Sequence, residues 1–303
     1  MTSRRGFTMI TMLWVMSVAA VVTAGGALVG RLAVHASRNR TELERAYWTA
    51  NGCASRARAT IDALLGDDRD AAAVWQTLDR RLPRVLTLEH PCSLQLEAAG
   101  TRLDANTASD EMISRLLAGL GAPETRSREM VDALADWRDS DEVARRAGAE
   151  RSWYLAQQRE PPRNGPLADV RELARIRGFE RLADFDTVLG TDGGRVSLAT
   201  APVTVLMSVP GVTRETAEAI ARLREQGEPI GDLLGVVGLV SRSSADSLLA
   251  RYADAAHVST PTPDAWILTV RASSGSPPNA SSLRLSLTRD GNVARLVSVR
   301  SDP

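Results

Sequence analysis

Residues 7–30 contain no charged side chain. As an α-helix these roughly 24 positions extend about 36 Å, enough to cross the hydrocarbon core of a bilayer. A removable signal peptide has a shorter apolar core followed by small residues, and the small residues between Ala19 and Ala27 keep that alternative open. Arg4 and Arg5 precede the run, so the positive-inside tendency holds the N-terminus in the cytoplasm and sends everything after Arg31 across the membrane. Beyond it Leu43, Tyr47, Ala50, Cys53, Ala54, Ala57, Ile61 and Leu64 recur at steps of three and four, while arginines and Glu44 fill the intervening face. The two patterns predict one continuous helix of about 55 residues, apolar in its first half and amphipathic in its second.

Alternation then replaces helical spacing. Residues 93–98 and 101–104 read as short strands, and near the end Trp266, Leu268 and Val270 alternate with Ile267, Thr269 and Arg271. Leu283, Leu285 and Leu287 alternate with Arg284, Ser286 and Thr288, and 293–299 follows an Asp290-Gly291 turn suited to a tight hairpin. Residues 273–282, rich in Ser, Pro and Asn, read as an exposed loop. Between the strand regions Met112, Leu116, Leu117, Leu120, Met130, Leu134 and Trp137 outline two helices. Leu167, Val170, Leu173, Ile176 and Phe179 outline a third, and a second group covers 201–256. Periodicity breaks at Gly190, Asp192, Gly193 and Gly194. The expected fold is α+β: a long N-terminal helix packed on a small antiparallel sheet, interrupted by a large all-α insertion of two small modules. The body occupies 31–104 and 259–303, the modules 105–190 and 191–258.

The chain has 303 residues with 37 basic and 37 acidic side chains, every basic one an arginine. Balanced charge gives no broad cationic surface for a phosphate backbone, so no nucleic-acid partner is expected. Cys53 and Cys92 are too far apart for a paired-thiol metal knuckle. In an oxidising compartment they can close a loop of about 40 residues, worth roughly 4 kcal/mol; otherwise they are two thiols with Cys53 buried on its helix. His35, His90 and His257 are scattered, and no G-x-S-x-G elbow occurs, so no catalytic residue is assigned and the chain is not expected to be an enzyme.

Arg5-Gly6-Phe7-Thr8-Met9-Ile10 resembles the junction at which a prepilin peptidase cuts type IV prepilins. The resemblance implies that residues 1–6 are a leader, that cleavage falls between Gly6 and Phe7, that Phe7 becomes N-methylated, and that 7–30 stays as a transmembrane helix. Pilin-like proteins carry Glu at the fifth mature position, where this chain has Thr11. A carboxylate in hydrocarbon is costly unless it meets a cation, and a leading subunit has no neighbour ahead to supply one. Further along, Asn106-Thr107-Ala108, Ala135-Asp136-Trp137-Arg138-Asp139-Ser140-Asp141, Gly148-Ala149-Glu150 and Val170-Arg171-Glu172-Leu173 occur in order, followed by Ala199-Thr200-Ala201 and Leu206-Met207-Ser208-Val209-Pro210-Gly211-Val212. This series is similar to the insertion of the general secretion pathway protein K family, minor pseudopilins of type II secretion. That resemblance implies a pilin-like body with SAM-like or helix-hairpin-helix-like modules in the insertion. It implies a single-pass protein of the bacterial inner membrane with a periplasmic C-terminal domain, capping the tip of a pseudopilus and initiating its assembly. The implied partners are minor pseudopilins of types I, J and H, the major pseudopilin, the prepilin peptidase and the inner-membrane secretion platform. The alternative is a minor pilin of a type IV pilus or competence (DNA-uptake) system.

Two motifs suggest further chemistry. Val209-Pro210-Gly211-Val212-Thr213 is similar to a helix-hairpin-helix turn, with one glycine where nucleic-acid-binding versions have two, and with Glu215 and Glu218 beside Arg214 and Arg222. A structural hairpin is therefore expected. Asp139, Asp141 and Glu150 are the candidate ligands of a Ca²⁺ ion, which takes six to eight oxygens and which the family resemblance implies for the insertion. Arg151 stands where relatives carry another acid; the competing reading is a solvated cap region paired with Arg138, Arg145 and Arg146.

Overall fold

The computed structural model describes residues 4–86, 92–182, 184–228 and 230–302. Helix α1 (Arg4–Asp67) is a single element of 64 residues, longer than the expected 55. Among the described residues it is the one helix long and apolar enough to cross a membrane. Its first half projects bare: Trp14 is 71% exposed, and Met9, Leu13, Val21, Leu28 and Val34 are exposed with it. The buried seam begins at Ala46 and continues through Ala50, Cys53, Ala54, Ala57, Ile61 and Leu65. Small side chains there let the helix approach a sheet closely, and each buried methylene adds about 0.8 kcal/mol. Leu43 and Tyr47, expected on the seam, are 47% and 37% exposed because the body's apolar cluster starts only at Ala50.

Two short helices, α2 (Ala71–Gln76) and α3 (Leu78–Val85), fold back on α1. Asp70 caps the first, its carboxylate accepting the Ala73 N–H at 3.0 Å. Strand β1 (Cys92–Ala98) follows, and Gly100 then turns the chain away at φ +80, where a Cβ would lie 1.8 Å from the Arg195 carbonyl oxygen. The expected strand over 101–104 is therefore reduced to β2 (Leu103–Asp104), which pairs in parallel with β3 (Leu189–Gly190) instead of joining the body. The helices outlined by Met112 to Trp137 are α4 (Asp110–Gly119) and α5 (Glu124–Arg138), followed by α6 (Arg151–Ala156).

The helix expected around Leu167 to Phe179 is two 3₁₀ turns, Val170–Arg175 and Phe179–Arg181. Its apolar positions repeat at a strict interval of three, which stacks side chains on a 3₁₀ turn, not on a 3.6-residue one. Strand β4 (Val196–Ser197) pairs in parallel with β5 (Ser259–Thr260), enclosing α7 (Val203–Leu206), α8 (Arg214–Gln226), α9 (Arg242–Ala250) and α10 (Tyr252–Val258). The insertion is thus helical with two small parallel ladders, a departure from the all-α expectation. Its two halves share one buried apolar cluster running from Leu103 to Ala255 across the expected division. Arg115 on α4 fastens them by donating to the carbonyls of Met207, at 3.1 Å, and Val212.

The body closes with β6 (Ala265–Ser274), β7 (Asn279–Asp290) and β8 (Val293–Asp302), giving an antiparallel sheet of order β1-β6-β7-β8. The expected loop over 273–282 is mostly strand, since Ser274 pairs with Asn279 and only 275–278 form the connection. Trp266, Leu268, Val270, Leu283, Leu285 and Leu287 face the α1 seam in the body's own cluster. The two buried tryptophans satisfy their polar handles on backbone: Trp75 donates to the Pro263 carbonyl at 2.8 Å and Trp266 to that of Trp75 at 2.9 Å. No described residue belongs to both large clusters. Between them lie a small apolar cluster of Ala99, Ala265 and Ile267 and a set of ion pairs, with Asp192 held between Arg102 at 3.3 Å and Arg284, and Arg102 also on Glu97 at 2.8 Å.

Cys53 of α1 and Cys92 of β1 form a disulfide across 39 positions. In the chain-entropy model a loop of that length contributes about 4 kcal/mol. Replacing both cysteines by serine should lower Tm by about 10 °C. Thermal unfolding without reductant, compared with the same chain under reductant, measures it.

Candidate metal centre

The last turn of α5 and the first turn of α6 bring three carboxylates together. Asp136 and Asp139 are three positions apart at the C-terminal end of α5, so they share one face. The chain then loops through 140–149 and returns at Glu150, whose backbone carbonyl accepts the Trp153 N–H at 2.8 Å to start α6. One carboxylate oxygen from each of Asp136, Asp139 and Glu150 lies within 4.8 Å of the others. The edge-to-face pair Trp137 and Tyr154, centroids 5.4 Å apart, comes from the same two helices.

The cluster is buried and short of partners. Asp136 is 0% and Glu150 3% exposed. Asp136 accepts the Arg145 backbone N–H at 3.1 and 3.2 Å, but both Glu150 oxygens and Asp139 Oδ1 find no hydrogen-bond donor among the described residues. Burial, then the charges of Asp136, Asp139 and Glu142, push the Glu150 carboxyl up to about 7. Burial also raises the carboxyls of Asp136 and Asp139 above their ordinary values. An orphaned carboxylate of this kind is costly in a folded chain unless a proton or a cation answers it.

Of the arginines expected to pair with a solvated cap region, Arg145 reaches the cluster at Asp136, while Arg138 is engaged mainly elsewhere. Arg138 donates to the Ala105 and Ala108 carbonyls at 2.6 and 3.0 Å. Arg145 bonds Asp110 at 2.6 Å and lies 3.9 Å from Asp136. Arg146 has no partner among the described residues. Arg151, the departure from the family pattern, is exposed, 3.4 Å from Glu142.

Two of the expected ligands, Asp139 and Glu150, are in the cluster; the third, Asp141, is not. Asp141 sits beyond the helix, where its carboxylate accepts the Val143 N–H at 2.8 Å. Asp136 takes its place. Helical spacing to Asp139 and the glycine of Gly148-Ala149-Glu150 are the signals that identify it. A Cβ on Gly148 would lie 1.9 Å from Asp136 Oδ2, so only glycine lets the returning loop pass over that carboxylate.

The remaining assigned residues lie elsewhere. Gly6 and Phe7 are in the first turns of α1, with side chains outside the described ones, and Thr11 is on its exposed apolar half. The Gly211 turn faces inward. Its φ is +77, and a Cβ there would meet the Ser247 carbonyl oxygen at 2.8 Å and Arg251 Cβ at 2.9 Å. Thr213 caps α8, and Glu215 accepts bonds from Ser241 and Ser244. This hairpin is an internal corner whose glycine is covered, as expected for a structural one.

A family model described as type II secretion system (T2SS), protein K matches residues 93–183, which include the acidic cluster. Two proteins named type II secretion system protein K, from Pseudomonas aeruginosa and Klebsiella pneumoniae, are each 28% identical to this chain. The alignments cover 73% and 65% of this chain, and 72% and 66% of those proteins. The fold is similar to a chain in the crystal structure of the GspK-GspI-GspJ complex from the type 2 secretion system of enterotoxigenic Escherichia coli. The TM-score is 0.61 at 16% identity, covering 88% of this chain and 99% of that one.

The Glu150 carboxyl gives the metal-free chain a definite pH dependence. Its folded value of about 7 lies above the ordinary 4.5, so between those pH values the folded state holds a proton that the unfolded state has released. That contribution to stability is fully present below 4.5 and is lost as pH rises through about 7. Glu150→Gln should therefore be less sensitive than the parent chain when unfolding midpoints in chelator are compared at pH 5 and pH 8.

Proposed function

We infer that this chain, a member of the type II secretion system protein K family, is the minor pseudopilin that caps the tip of the pseudopilus and initiates its assembly. The observation that carries the reading is α1: half of a 64-residue helix is apolar and uncovered, while the other half is welded to a body bearing a bulky insertion. An uncovered helix of this composition is stable in lipid or among other helices, and the same surface serves for both. The helix anchors the chain once in the bacterial inner membrane, N-terminus cytoplasmic and the rest periplasmic. Prepilin peptidase then cuts between Gly6 and Phe7, removing Arg4 and Arg5, and Phe7 is N-methylated.

Assembly follows from packing and charge. Residues 7–30 join the helices of the type I and J minor pseudopilins, and the type H and major pseudopilins are added below from the inner-membrane platform. Thr11 brings no carboxylate into that bundle, which suits a subunit with no neighbour ahead of it. The insertion, 99–264 between adjacent sheet strands, is too bulky to sit inside a helical shaft and belongs at its end. A DNA-capturing minor pilin is the weaker reading, because the Gly211 turn is buried against α9 and has one glycine where nucleic-acid-binding versions have two.

Asp136, Asp139 and Glu150 would hold Ca²⁺ in the mature domain. Oxygen-only donors without thiolate or imidazole suit a hard cation, and the undonated Glu150 oxygens are what such an ion would satisfy. The ion would supply charge neutralisation, tying the end of α5 to the start of α6. Excess Ca²⁺ at about a hundred times its Kd should stabilise the chain by roughly 2.7 kcal/mol, a Tm rise of about 5–10 °C over chelator. Glu150→Gln and Asp136→Asn should abolish that rise; a Tm indifferent to calcium would overturn the assignment.

The tip reading is tested at residue 11. An unpaired carboxylate in lipid costs about 2.5–3.5 kcal/mol at a helix centre and less at the fifth position of the span, so Thr11→Glu should cut incorporation about tenfold. Copurification with the I and J subunits and export of secreted proteins measure it. Wild-type levels of both, or a mature N-terminus other than Phe7 by mass spectrometry, would remove the reading.

A further inference from the structure

The insertion also carries an open groove of about 300 Å³, lined by Arg126 and Glu129 of α5, Trp153 of α6, and Arg177, Glu180 and Arg181. Its aromatic wall residue is Trp153, half-buried and held by three side chains, one of them Arg159, whose guanidinium lies 5.8 Å from the ring centroid. The Tyr154 ring meets it edge-on with centroids 5.0 Å apart, and the Arg177 guanidinium lies 5.0 Å from its ring centroid. Arg177 is itself fixed, donating to the Gly148 carbonyl at 3.0 Å and to Glu129 at 3.3 Å. The tryptophan is therefore a platform set before any ligand arrives, which reduces the entropy lost on binding.

The charges around it are unequal. Both carboxylates are engaged, Glu129 by Arg177 and Glu180 by Arg159 at 3.8 Å. Two guanidiniums are left over. Arg126 makes one bond, to the Gly178 carbonyl at 3.2 Å, and Arg181 has no partner among the described residues. Gly178 forms part of the groove wall at φ +89, where a Cβ would lie 2.6 Å from Met130 Cγ, so that stretch of wall is bare backbone. A fixed Trp sharing a groove with two arginines that keep unused donors, beside partly exposed main chain, is the composition of a protein-recognition hot spot for carboxylates.

We propose that this groove binds an extended acidic peptide segment of a protein partner, with Arg126 and Arg181 taking its carboxylates and Trp153 packing against its backbone or apolar side chains. The proposal goes beyond tip capping and uses neither Thr11 nor the metal ligands, so its failure leaves the tip reading intact.

The test uses the detergent-solubilised full chain and a fluorescein-labelled hexapeptide of alternating Glu and Leu, followed by anisotropy at physiological salt. Saturable binding is expected, weakened at least tenfold in Arg126→Ala/Arg181→Ala and in Trp153→Ala. Arg80→Ala/Arg84→Ala, an exposed pair on α3 with the same loss of charge, is expected to bind as the parent does. Because Trp153 also packs against Tyr154, the arginine pair decides the matter if Trp153→Ala lowers Tm. Three results would overturn the proposal: no saturation at millimolar peptide, equal weakening in the α3 control, or equally potent competition by a six-nucleotide oligothymidylate, which would mean that the surface reads anionic charge alone.

Discussion

The architecture depends on one contact, the small-residue seam of α1 lying on the apolar face of the four-stranded sheet. Ala46, Ala50, Ala54 and Ala57 bring the helix close, and Ile61 and Leu65 fill the far end against Trp266, Leu268 and the leucines of β7. Because the seam occupies only the second half of a continuous helix, the first half is carried outward as a rod that no described residue of the chain covers. Exposed apolar surface of that extent is where the chain meets lipid or other helices.

The insertion leaves this contact undisturbed for a topological reason. Ala98 at the end of β1 faces Trp266 at the start of β6, so 99–264 leave and re-enter at neighbouring strand ends. The sheet needs no residue from the excursion, and the excursion builds its own core between Leu103 and Ala255. Within that core the polar choices are local: Gly148 yields space to Asp136, Gly211 yields space to α9, and Arg115 spends its donors on two carbonyls of the facing half. The acidic cluster is the exception, a place where buried acceptors outnumber donors.

Much of this was legible in the sequence where a period was unambiguous. Alternation at Trp266, Leu268 and Val270 and at Leu283, Leu285 and Leu287 marked the strands and their buried face, and spacing from Met112 to Trp137 marked α4 and α5. The misses have physical causes. A repeat of three at Leu167 to Phe179 belongs to 3₁₀ turns, and a Ser-rich stretch became strand because backbone pairing, not side-chain character, holds the β6–β7 hairpin together. Leu43 and Tyr47 fit the helical pattern, but burial also needs something opposite, which a one-dimensional pattern does not report. Asp139 and Asp141 alternate along the sequence, but it is the three-residue spacing of Asp136 and Asp139 at the end of α5 that brings two carboxylates to Glu150.

The Cys53–Cys92 bridge has a mechanical consequence. It joins the long rod to the sheet's edge strand, so an axial force on α1 reaches the sheet through a covalent tether as well as through apolar packing. Shear that would slide the rod along its groove has first to cleave a sulfur–sulfur bond, and thrust delivered at the base of the helix is passed up to the head of the molecule without slip.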